Sequence, residues 1–72
     1  MKTRTQILRE YTAIAEQLAY AGKRKNKRWL AVAQMLQHGD LLGAGWHLAS
    51  INKPEAVRFL TVLGELLEET QS

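Results

Sequence analysis

The 72-residue sequence contains no cysteine, which excludes disulfides and thiolate metal ligands at once. A chain this short builds one small core, worth only about 3–5 kcal/mol of net stability. With disulfides excluded, a second subunit is the reinforcement still open to it. The lack of cysteine also suits a reducing compartment, and the expected location is cytoplasmic. Proline occurs once, at Pro54, and no low-complexity tract or linker interrupts the chain, so residues 1–72 read as a single domain. Long hydrophobic runs are lacking too. The longest nearly apolar stretch, Leu41 to Ile51, contains His47 and falls far short of the roughly 20 residues that span a bilayer. Lys2 and Arg4 lead into no apolar segment before Glu10 and Glu16, so no signal peptide is expected.

What is present is a normal apolar content of 46%, enough for a folded domain, and a lopsided charge. The net charge is +3. Residues 1–36 carry eight basic and two acidic side chains, a net +6, while residues 37–72 carry two basic and five acidic, a net −3. An electrically two-ended molecule can attract an anionic partner at one end, or another copy of itself.

No segment alternates apolar and polar residues as a half-buried strand does. The spacing predicts an all-α bundle of about four short helices, at approximately 4–21, 27–38, 41–51 and 54–69. In the first, Thr3 and Gln6 form a capping-box pattern. Ile7, Tyr11, Ile14, Leu18 and Ala21, widened by Leu8, Ala15 and Ala19, fill an arc of roughly 160°, and Gly22 is placed to end the helix. Two turns of such spacing mark a core face rather than a coiled coil. Asn26 is the expected N-cap of the second helix, with Trp29, Val32, Ala33 and Leu36 as its core face and Gly39 at its end. Asp40 is the expected cap of the third helix, where only His47 and Ser50 are polar. That helix is expected to be the most buried, with Trp46, like Trp29, a core anchor. Pro54 suits the first turn of the fourth helix.

The apolar residues of the fourth helix cover roughly 220° of the wheel, more than one neighbouring helix conceals. This predicts an assembly surface that includes Phe59, Val62, Leu63 and Leu66, with the bundle completed as a homodimer. The alternative is that this helix lies at the centre of its own bundle.

Catalytic and metal-binding sets are not evident. His38 and His47 lack the i, i+4 spacing of ligands on one helix face, and with Asp40 they make at most three of the four donors zinc needs. Ser50 and His47 are three residues apart, but no acid completes a nucleophilic set. Gly43 and Gly45 lie in an apolar run, not in a phosphate-cradling loop. Neither an enzyme, a metal, a cofactor nor a small-molecule substrate is expected.

The strongest binding signal is the run Lys23, Arg24, Lys25, Asn26, Lys27, Arg28, followed by Trp29. Lys23 and Arg24 suit a helix C-terminus. Lys27 and Arg28 fall in a first turn whose dipole is already positive, at a cost of a few tenths of a kcal/mol each. Such a conflict can mark function, and cations at a helix start suit the phosphates of a nucleic acid. Docking on an anionic membrane is a lesser reading of the same cluster. Sequence-specific reading by a helix-turn-helix is disfavoured, because the helix at 41–51 offers base edges almost no polar side chain.

From Leu30 to Leu67 the chain resembles a tetratricopeptide-type helical hairpin, through Gly39, Trp46, Ala49 and Pro54. The resemblance implies antiparallel packing of neighbouring helices and, in that family, peptide binding on a concave face. Only one repeat fits, against about three needed for a stable array. The expected function is therefore that of a small non-enzymatic regulatory or adaptor protein that binds another macromolecule, protein or nucleic acid, as a helical homodimer; the alternative is a nucleic-acid-binding protein that uses the basic loop 23–28 for phosphate contacts.

Overall fold

The capping signals set the helix starts. Thr3 Oγ1 accepts from the Gln6 amide at 3.2 Å while the Gln6 side chain accepts from the Thr3 amide at 2.8 Å, and α1 follows over Arg4–Ala19. Asn26 Oδ1 accepts from the amides of Arg28 and Trp29 and opens α2, Lys27–Gln37. Asp40 Oδ1 accepts from the Gly43 amide at 2.9 Å and opens α3, Leu41–Ala49. Pro54 starts α4, Pro54–Gln71, since its missing N–H and fixed φ suit a first turn. The computed structural model describes residues 2–71, with side chains as far as Glu69.

These four helices form an all-α bundle. Each packs on its sequence neighbour, as short connections require. Gly39 carries the turn between α2 and α3 at φ +76°. Its amide donates to the Leu36 carbonyl and the Asp40 amide to the Met35 carbonyl, which closes α2 as a Schellman turn. Gly43 has a different role. A Cβ there would collide with the Asp40 carboxylate, so glycine leaves room for the cap.

Gly22 does not end α1. The helix stops at Ala19, with Tyr20 as C-cap, and Gly39 is the one glycine with positive φ among the described residues. The reason lies downstream: the Asn26 amide donates to the Ala19 carbonyl at 2.8 Å and satisfies the helix end without a left-handed residue.

The core draws on all four helices. Ala15 and Ala19 of α1 are fully buried, whereas Ile14 is 40% exposed, so small residues sit at the centre of that face and let α1 approach α2 closely. All four expected core residues of α2, Trp29, Val32, Ala33 and Leu36, are buried. Phe59 joins the helices. Its ring meets Tyr11 of α1 edge-on at 4.9 Å and Trp29 of α2 at 5.1 Å, distances at which such pairs add to simple burial. No polar or charged side chain is buried among the described residues.

Candidate functional site

Two surfaces stand out, a basic end and an apolar outward face. At the basic end, Lys23, Arg24, Lys25, Lys27 and Arg28 are all exposed, and the one ion pair recorded among the described residues joins Lys2 to Glu10 elsewhere, at 2.8 Å. That bond and the Glu10 charge raise the pKa of Lys2. Arg28 is partly committed: its Nη1 donates to the Ser50 carbonyl at 2.9 Å. Ser50 is the C-cap of α3, so the guanidinium serves a negative helix end. This explains a cation in the first turn of α2 without any ligand. The α2 amides of Arg28 and Trp29 are likewise taken, by Asn26 Oδ1. An anion at this end would therefore meet side-chain cations rather than a nest of free amides. The same Arg28–Ser50 bond brings the end of α3 beside the start of α2.

The proposed assembly residues lie elsewhere than expected. Phe59, Leu63 and Leu66 are each at most 3% exposed in the chain's own core, and Val62 is half-buried. This burial comes from within the chain, where Phe59 meets Tyr11 of α1 and Trp29 of α2 and α3 packs on α4, while α4 keeps an exposed side at Val57 and Leu60. An assembly surface cannot be built from those three side chains.

Exposed apolar residues occur instead on the outward side of α3 and α4. Trp46 is 82% exposed and Leu42, one turn earlier, 71%; Val57 is 63% and Leu60 37% exposed. Trp46 is not a core anchor, and α3 is not the most buried helix: Leu41, Ala44 and Leu48 fill its inner face and no helix covers the other. On α4, the flank bearing Glu55 and Arg58 forms a cleft with Tyr11, Ile14 and Leu18 of α1. α3 packs on α4 as well, and Val57, Leu60 and Gly64 of α4 are exposed.

Gly64 is exposed on α4 and Gly45 half-buried on α3. A Cβ at either would meet no atom within 4 Å, so the chain's own packing requires neither. Each lowers helix stability by about 1 kcal/mol relative to alanine.

The other sequence candidates are accounted for locally. Ser50 Oγ donates to the His47 backbone carbonyl at 2.7 Å, not to its imidazole. The Asp40 carboxylate caps α3. His38 lines an open groove of about 620 Å³ with Leu8, Arg9, Glu16 and Leu36. Among the described residues no three His, Cys, Asp or Glu side chains gather as a metal site, and no helix is long and apolar enough to cross a membrane.

Comparison with protein-family models, curated proteins and solved structures finds no match. The tetratricopeptide resemblance remains a likeness of four residues, and one of them, Trp46, stands in solvent.

Proposed function

We propose that this chain is a small non-enzymatic regulatory or adaptor protein, acting by macromolecular binding as a helical homodimer, with the outward face of α3 and α4 as its contact surface. The observation that carries this reading is the 82% exposure of Trp46 beside a 71% exposed Leu42. Single exposed apolar residues are ordinary, but a tryptophan and a leucine stacked on one uncovered helix face form a patch of the kind that marks interaction sites. The test compares immobilised wild-type chain with a Leu42→Ser/Trp46→Ser variant of matched helical circular dichroism. Partners retained by the wild type and lost from the variant support the face. Identical retained sets refute its role.

A second reading is favoured by the basic end, where Lys23, Arg24, Lys25 and Lys27 are exposed. It is nucleic-acid binding through phosphate contacts, with weak sequence preference. Fluorescence anisotropy of labelled duplex and single strands against salt tests it, with Lys25→Glu/Lys27→Glu as control. Arg28 is left intact there because it supports α3. Binding that falls steeply with salt and disappears in the variant supports this reading; salt-independent or absent binding refutes it.

A further inference from the structure

The outward surface of α4 has an order along its length. Val57, Leu60, Gly64 and Glu68 follow one another at intervals of three, four and four residues, which places them in one stripe, and Lys53, the residue before α4 whose carbonyl accepts from the Ala56 amide, stands four residues ahead of Val57. All five are exposed. The stripe is basic where it starts, acidic where it ends, and apolar or bare between. It is therefore complementary to its own reverse. Laid antiparallel about a two-fold axis beside Leu60 and Thr61, it sets Val57 against Gly64 of the partner subunit and Lys53 against Glu68 of the partner subunit. A parallel pairing would bring lysine to lysine and glutamate to glutamate, which like-charge repulsion disfavours.

Gly64 gains a reason in this arrangement. A glycine on an exposed helix face weakens the helix, yet it lets a second backbone approach closely. The apolar area is also of the right order. Leu42, Trp46, Val57 and Leu60, exposed as they are, give on the order of 1,000 Å² over two protomers, the size at which specific interfaces begin.

We infer that the outward α3–α4 face binds a second copy of this chain in antiparallel orientation, each protomer covering Leu42 and Trp46 of the other. The inference rests on the reading of this face as the homodimer contact surface, and adds the direction of the pairing and the residues that set it.

Sedimentation equilibrium of the full chain across the micromolar range tests it. The expected result is a species of twice 8.2 kDa. Trp46→Ser should raise its dissociation constant at least about tenfold, as the loss of an interface tryptophan does. Gly64→Gln should weaken the dimer while helical circular dichroism is kept, since glutamine is the better helix former. Lys53→Glu and Glu68→Lys should each weaken it by about fivefold, and the two together should restore it. A single-chain mass at every concentration overturns the second copy as occupant, while the wild-type and Leu42→Ser/Trp46→Ser comparison still decides whether the face binds anything else. A dimer indifferent to Trp46→Ser and Gly64→Gln overturns the face itself. A double reversal that fails to restore the dimer overturns the antiparallel pairing.

Discussion

The two tryptophans live in opposite surroundings. Trp29 is 4% exposed and Trp46 82%, although both sit on short helices among apolar neighbours. The difference lies in what the rest of each helix offers. In α2 Trp29, Val32, Ala33 and Leu36 form one buried stripe, flanked by the half-buried Leu30, Ala31 and Met35, with Arg28, Gln34 and Gln37 exposed, so the polar residues fix which rotation the helix takes. In α3 nearly every side chain is apolar, so several rotations are open to it. The chain buries the face of Leu41, Ala44 and Leu48 and leaves the face of Leu42 and Trp46 uncovered. Hydrophobicity decides that a helix is bound to something; the contrast between its faces decides which face the chain itself covers.

Substitutions can break or sharpen this contrast. Trp29→Ala should have the largest effect, a loss of about 3–5 kcal/mol, comparable with the whole stability expected of a core this size. Circular dichroism under urea should show a chain largely unfolded in water; a cooperative transition close to that of the wild type would contradict the buried role. Gly39→Ala should follow, at about 1–2 kcal/mol, because alanine resists the left-handed backbone, and the urea midpoint reads it directly. Trp46→Ser should be the mildest. At dilutions where the chain is a single protomer, its unfolding free energy should lie within about 0.5 kcal/mol of the wild type, as for surface changes generally. A larger drop would show that Trp46 supports the fold after all.

Much of the architecture was legible in the residues. The caps at Thr3, Asn26 and Asp40, the turn at Gly39 and the first-turn Pro54 each follow from local chemistry that needs no knowledge of the fold, and the helix starts they set agree with the structure. The core face of α2 was equally plain. Three features were not local and so were misread. The end of α1 depends on Asn26, seven residues beyond Ala19. The burial of Phe59, Leu63 and Leu66 depends on the helices that meet α4, which the width of an apolar arc does not specify. The purpose of Arg28 depends on Ser50, 22 residues away. Of the candidate surfaces, the basic run was visible. The outward face of α3 was hidden by its own uniform hydrophobicity.

Asn26 has one more implication. Its amide holds the end of α1 while its side chain holds the start of α2, so the stretch from Gly22 to Lys25 lies between the capping bonds of the two helices. Changes of length or charge within it therefore leave both flanking helices capped. The most cationic part of the molecule is a replaceable cassette: its residues can be exchanged, extended or nicked by a protease that cuts after lysine or arginine, and the clasp that holds α1 to α2 stays outside the altered segment.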